Sequence, residues 1–285
     1  MEGAIMTQLR VLTVTDLRQD RRRYHALAGA VEEHRPDVVA VVGDFLEPRH
    51  REGQLSIIEA ARLLAQLPVA DVVFCRGDRE GSNWFDFKFN WPHAMRPLIA
   101  LYGRAHVVGP LALLGFPCHV GSESPWACTM PRIGNQVILN PFGSGRTPLP
   151  VSAQLWLPAL LQELGPAGRV LWLMHEPPMS RPLATTSHWN REWHEAVWEY
   201  QPLFVVSGHG RVSPRRHGEW LETLGNSYCL NAGQCSAELA YALIEFTFKA
   251  QTPASLLDVV ITANPWQGKG EVVNRRHNVC SHATA

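Results

Sequence analysis

The sequence predicts an α/β fold built around a buried sheet, and three observations carry that reading. Short apolar runs rich in Val and Leu recur along the chain, and the early ones alternate with longer stretches of helical spacing. A hydrophobic content of 46% over 285 residues supplies the core of one large domain. That domain is expected over residues 1–267, with a polar tail over 268–285.

Residues 10–15 form the first expected strand. Residues 20–33 read as a helix stopped before Pro36, 38–42 as a second strand, 56–66 as a helix opened by the capping residue Ser56, and 71–75 as a third strand. These make two consecutive βαβ units. Residues 81–97 mix Trp84, Phe85, Phe87, Phe89 and Trp91 with charges and lack a clean period, so they read as a long loop leading into a short helix. A hairpin, or two strands around Gly115, is expected at 107–120, irregular chain at 121–150 and a helix at 153–164. Strands follow at 170–174, 203–206 and 227–230, with a helix at 190–200, and strands at 240–248 and 256–262 close the sheet.

Lys+Arg and Asp+Glu balance at 26 each and the sequence pI is near 7.2, so no basic excess points to nucleic acid or an anionic membrane. The six cysteines (75, 118, 128, 229, 235 and 280) lack C-x-x-C spacing and read as reduced thiols. Residues 1–10 have no basic segment followed by an apolar core, and no later stretch approaches ~18 uninterrupted apolar residues. A cytoplasmic protein is expected.

Five apolar runs each end in a group that could bind a metal: Asp16, Asp44, Asp78, His175 and His209. In an open α/β sheet the carboxyl ends of the strands lie along one edge, where ligands bind, so the five are expected to converge. Three carboxylates and two imidazoles suit Mn, Fe, Zn or Mg rather than a thiolate-bound metal. Packed together, the carboxylates need a compensating cation, either a metal or nearby arginines. Gly43, Gly77 and Gly208 each allow a tight turn as the chain leaves its strand. Any one such aspartate could simply cap the following helix. Five in register point to a shared site.

The set resembles the calcineurin-like metallophosphoesterases, whose blocks run D-x-H, G-D-x-x-D, G-N-H-D/E, a lone His often followed by two prolines, and G-H-x-H. Here they read Asp16-Leu17-Arg18, Gly43-Asp44-Phe45-Leu46-Glu47, Gly77-Asp78-Arg79-Glu80, His175-Glu176-Pro177-Pro178 and Gly208-His209-Gly210-Arg211, with Asn231-Ala232-Gly233 following. The resemblance covers residues 9–242 and implies a four-layer αββα sandwich with mixed sheets. It also implies hydrolysis of a phosphomonoester or phosphodiester, with a phosphate-containing small molecule or nucleotide as substrate.

Carried over, a first metal would need Asp16, a histidine at 18, Asp44 and a histidine at 211; two of these positions hold arginine. The second would use Asp44, Asp78, His175 and His209, all of which can ligate. Arginine stays protonated and has no lone pair to give. The implied cofactor is therefore one divalent ion rather than two, with a metal-free site as the alternative. Arg18 and Arg211 are expected to supply charge at the first position by pairing with Asp16 and Asp44. Arg79, in place of the third-block histidine, can stabilise phosphoryl charge but is a poor proton donor. Arg79, Asp44, Arg18 and Arg211 are thus the candidate catalytic groups.

A noncatalytic binding module is the competing reading, as in the retromer subunit and the polymerase small subunits, which share this fold with degraded metal sites. Trp84 and Trp91 are candidates for stacking a nucleobase, whereas Trp189, Trp193 and Trp198 read as cover for the sheet. His119 and His188 are minor candidates. Arg21, Arg22 and Arg23 read as a solvated helix face, while Arg215, Arg216 and His217 could meet a polyanionic substrate.

Overall fold

The computed structural model describes residues 6–47, 51–77, 79, 98–101, 104–116, 127–129, 132–133, 136–137, 150–152, 157–158, 161–162, 164, 169–178, 183, 191–234, 238–249, 255–264 and 273–275. Strand β1 (Met6–Val14), helix α1 (Arg21–His34), β2 (Val38–Val42), α2 (Ile57–Ala65) and β3 (Asp71–Cys75) form the two expected βαβ units. Helix α1 is opened by Asp20, whose carboxylate accepts the Arg22 N–H at 3.0 Å, and is closed by Arg35 in the left-handed region. Helix α2 starts with a capping box, in which Ser56 and Glu59 satisfy each other's backbone N–H groups.

The middle of the chain contributes β4 (Ile99–Ala100), β5 (Arg104–Val108), β6 (Leu111–Phe116), β7 (Ala127–Thr129), β8 (Arg132–Ile133), β9 (Gln136–Val137) and β10 (Pro150–Ser152). The hairpin turns at Gly109 and Pro110 rather than around Gly115. Gly115 lies inside β6, where a Cβ would come 2.3 Å from Leu101. Within the stretch read as irregular, β7 to β10 pair only in two-stranded pieces, too short to show a period. Of the expected helix at 153–164, the described residues 157–158, 161–162 and 164 are helical, while the loop and short helix expected at 81–97 lie outside the described residues.

The last third supplies β11 (Val170–Met174), α3 (Arg191–Tyr200), β12 (Phe204–Val206), α4 (Ser213–His217), β13 (Leu221–Leu224), β14 (Ser227–Leu230), β15 (Tyr241–Lys249), β16 (Ser255–Asn264) and β17 (Val273–Arg275). Sequence reading missed α4 and β13, which are short and lie within the connection from β12 to β14. Strand β17 falls within the stretch read as an aperiodic tail and pairs antiparallel with Val259–Ile261.

Two mixed sheets result. One runs β17-β16-β15-β1-β2-β3-β4 and the other β13-β14-β12-β11-β6-β5. Strands β1 to β4 are parallel, as are β6, β11, β12 and β14. Alternation along each strand sorts its side chains between faces. Val38, Ala40 and Val42 join Leu171, Leu173 and Phe204 in a core between the sheets, whereas Val39 and Val41 pack outward with Leu27, Val31 and Leu64 of α1 and α2. On the far side, Val170, Trp172 and Met174 meet Trp193, Ala196 and Val197 of α3. The layers are therefore α, β, β, α, as the sequence led us to expect.

Candidate metal centre

The carboxyl ends of the parallel strands in both sheets meet at one edge of the sandwich, so the loops after β1, β2, β11 and β12 share a crevice. Beyond the strand ends, β1 and β2 stay joined: Asp16 N–H donates to Gly43 O at 3.1 Å, Arg18 N–H to Asp44 O at 2.8 Å and Gln19 N–H to Phe45 O at 3.0 Å. Asp16, Arg18, Gln19, Asp44 and His209 all have φ between 51° and 54°, a conformation uncommon for residues other than glycine and concentrated at functional sites. Gly43 and Gly208 let the sheets approach. A Cβ on Gly43 would lie 2.4 Å from His175 Nδ1, and one on Gly208 would lie 1.9 Å from Thr15 Oγ1.

Asp16, Asp44 and His175 are fully buried, and their ligand atoms lie within 4.8 Å of one another. His175 Nδ1 stands 3.0 Å from the Val42 carbonyl, which can only accept. In the neutral imidazole that nitrogen therefore carries the proton, leaving the Nε2 lone pair facing Asp44 Oδ1 at 3.5 Å. The His209 ring centroid is 5.3 Å from that of His175. Asp78, the remaining expected ligand, lies outside the described residues, as do Trp84, Trp91, His119, His188 and Trp189.

Arg18 fills the space between the carboxylates. Its Nη2 is 2.9 Å from Asp44 Oδ2 and 3.3 Å from Asp16 Oδ1, and its Nη1 is 3.5 Å from Glu47 Oε1. Burial works against the Arg18 charge, but Asp16, Asp44 and Glu47 outweigh it and hold the guanidinium above its ordinary pKa. Burial pushes the Asp16 carboxyl up and Asp44 adds to that, against the opposing pull of His175, Arg18 and the Thr15 hydroxyl. The Arg79 backbone N–H donates to Asp44 Oδ1 at 2.9 Å, and its Nη1 lies 3.7 Å from Glu47 Oε2.

Arg211 behaves differently from Arg18. Among the described residues it forms no ion pair with Asp16, Asp44 or any other carboxylate, which corrects the expectation that both arginines pair there. Arg23 is a second correction. Arg21 and Arg22 are exposed as expected, but Arg23 turns inward and donates from Nη1 to the Asp16 carbonyl at 2.8 Å.

Supporting groups that sequence reading did not single out include Glu47, Thr15 and Gln19. Gln19 is buried, donates to Leu55 O at 2.6 Å and accepts the Glu47 N–H at 2.7 Å. Glu47 occupies the last position of the second block, which could have marked it. Asn231, noted from the turn after the last block, is buried and donates to Leu183 O at 2.8 Å and Gly208 O at 3.0 Å. Of the tryptophans, Trp193 packs on Phe116 with ring centroids 4.9 Å apart, while Trp198 faces solvent.

Asp16, Asp44 and His175 fit a divalent ion, since each offers a ligand atom to one cluster. At the first position the Arg18 guanidinium already bonds one oxygen of each aspartate, Asp16 Oδ1 and Asp44 Oδ2. At the second, Asp44 and His175 would hold the ion, each offering a ligand atom.

A sandwich of this topology, with its crevice at the strand ends, is the fold of the calcineurin-like phosphoesterases. The chain is similar to TT1561 of Thermus thermophilus, at 14% identity and TM-score 0.55 over 94% of this chain and 99% of that one. It is similar to the calcineurin-like phosphoesterase YfkN from Bacillus subtilis, at 11% identity and TM-score 0.51 over 96% and 94%. Haemophilus influenzae NAD nucleotidase also resembles it, at 10% identity and TM-score 0.51, with 95% of this chain matching 54% of that one. No family model and no curated protein matches the sequence. Among the described residues, no helix is long and apolar enough to cross a membrane.

Proposed function

We propose that this chain hydrolyses a phosphomonoester or phosphodiester at an altered metal site, with one divalent ion held by Asp44, Asp78, His175 and His209 and with Arg18 in place of a second ion. The observation that carries this reading is the Arg18 guanidinium seated between Asp16 and Asp44 at 3.3 and 2.9 Å. A divalent ion, when bound, supplies Lewis-acid polarisation of a phosphoryl oxygen and a water of lowered pKa. Arg18 and Arg79 place positive charge where phosphoryl oxygens gain negative charge, and arginine suits that task because its planar fork matches phosphate geometry. Asp16, Asp44 and Glu47 hold those guanidinium groups in position. The Val42 carbonyl keeps His175 in the tautomer that presents Nε2 to the crevice.

The substrate class is a phosphate-containing small molecule or nucleotide. A nucleotide is consistent with a fold shared with the Haemophilus influenzae NAD nucleotidase. A cytoplasmic location is part of the same reading, supported by the buried Cys75 and Cys229, which are thiols rather than disulfides.

A generic phosphodiester assay with added manganese, run beside the D44A/H175A double variant, tests the proposal. Turnover by the wild type well above that of the variant is expected, and equal rates would remove the enzyme reading. A binding module is the second reading. It is favoured by the same arginine, which pairs with Asp16, Asp44 and Glu47 and so offsets part of their charge.

A further inference from the structure

Next to the Arg18 clasp, Gln19 is buried with its backbone groups and both ends of its amide engaged. Its backbone N–H donates to Phe45 O at 3.0 Å, and its carbonyl accepts the Leu55 N–H at 2.9 Å. The side-chain Nε2 donates to Leu55 O at 2.6 Å, while Oε1 accepts the Glu47 N–H at 2.7 Å. An amide supplies that donor and that acceptor at once. One residue thereby ties the loop after β1 both to the loop after β2 and to the residue preceding the Ser56 cap of α2. Arg18 is held at its backbone as well: its N–H donates to Asp44 O at 2.8 Å, and its carbonyl accepts from Gln54 Nε2 at 3.0 Å.

Arg18 and Gln19 are consecutive residues with φ of 52° and 54°, left-handed values that a residue with a side chain keeps only where its surroundings hold it. The bonds from Gln19 and Gln54 are part of what holds them. Gln19 also acts on the other end of the clasp. Glu47, whose backbone it anchors, lies 3.5 Å from Arg18 Nη1 and 3.7 Å from Arg79 Nη1. The same amide therefore steadies the backbone beside the guanidinium and the carboxylate that meets it. Asp16, Asp44 and Glu47 together surround Arg18 with carboxylate oxygens, a hard set that a divalent ion would take if the guanidinium left. We infer that Gln19 is a positioning residue that decides the occupant of the first metal position, holding Arg18 on the aspartates and so keeping a divalent ion out. This rests on the altered-site reading proposed above and names the residue that enforces it.

Calorimetric titration of the full chain with manganese and, separately, with inorganic phosphate tests this in the wild type and in Gln19→Met, a side chain of similar length without the amide's donor and acceptor. Manganese is expected to bind Q19M at least about fivefold more tightly than wild type, and phosphate at least about fivefold more weakly, since the guanidinium that excludes the one attracts the other. Q54M, which frees the Arg18 carbonyl, should shift both in the same directions by about threefold, and it carries the test if Q19M does not fold. V197A, a truncation in the core under α3, loses stability without touching Arg18 and should leave both affinities within about twofold of wild type. Manganese affinity in Q19M at or below the wild-type value would overturn the inference, as would a shift reproduced by V197A; Gln19 would then be a structural tie alone. Tighter manganese binding with unchanged phosphate affinity would uphold the role of Gln19 and sink only the phosphoester reading.

Discussion

Arg18 Nη2 stands 2.9 Å from Asp44 Oδ2 and 3.3 Å from Asp16 Oδ1, so a single guanidinium joins carboxylates at the ends of two neighbouring strands. Its side chain is 14% exposed and theirs are fully buried, which makes this a substantially desolvated network rather than a surface pair.

Removing Arg18 should therefore cost far more than removing a surface charge. R18A leaves Asp16, Asp44 and Glu47 without their central cation, and a loss of about 3–5 kcal/mol is expected in denaturant unfolding. Added manganese should recover part of that loss in R18A and stabilise the wild type less. An R18A protein as stable as wild type would show that the clasp carries no weight.

The strand-end pattern made much of this legible beforehand. Asp16, Asp44 and His175 were readable because each closes a short, mainly apolar run, and the sheet edge brought them together as expected. Arg23 was not readable, because three adjacent arginines on a helix carry no mark of which one faces inward. The unequal roles of Arg18 and Arg211 were likewise hidden: both replace a histidine in the motif, and only the left-handed turns at Asp16 and Arg18 carry one of them onto the aspartates. Strands β4, β13 and β17 were too short for a period to show.

Close approach of the two sheets depends on Gly208. G208A would drive a methyl group to 1.9 Å from Thr15 Oγ1 and 3.1 Å from Asp16 Oδ2, contacts that the packed strand ends cannot relieve. A loss of about 2 kcal/mol or more is expected, together with weakened phosphate binding. An unchanged melting temperature would mean that the loops are not packed as described.

Asn231 links the last parallel strand to the Gly208 turn. N231A strands the buried Leu183 carbonyl and the Gly233 N–H and leaves the Gly208 carbonyl with the Gly210 N–H alone, for an expected cost of about 2–4 kcal/mol. Because the same turn carries His209, phosphate affinity should fall along with stability. Thermal melts and calorimetry on one preparation check both.

Cys229 offers a pH-dependent readout away from the crevice. Burial, aided by Glu222, pushes its thiol up from 9.0 to about 12. Below the unfolded value both states keep the proton and the contribution to stability is complete. As pH rises from 9.0 towards about 12, the unfolded thiol ionises first and stability falls. C229A should show a shallower alkaline loss than wild type in melts across that range. Native Cys229 should also resist iodoacetamide at about pH 8 and react once denaturant is added; rapid native labelling would contradict its burial.

The central claim is that arginine stands where a first metal would bind, and metal stoichiometry tests it most directly. Elemental analysis of protein purified without chelator should find no more than one tightly held transition metal per chain, with R18H/R211H gaining a further ion. Two tightly held ions in the wild type would contradict the account.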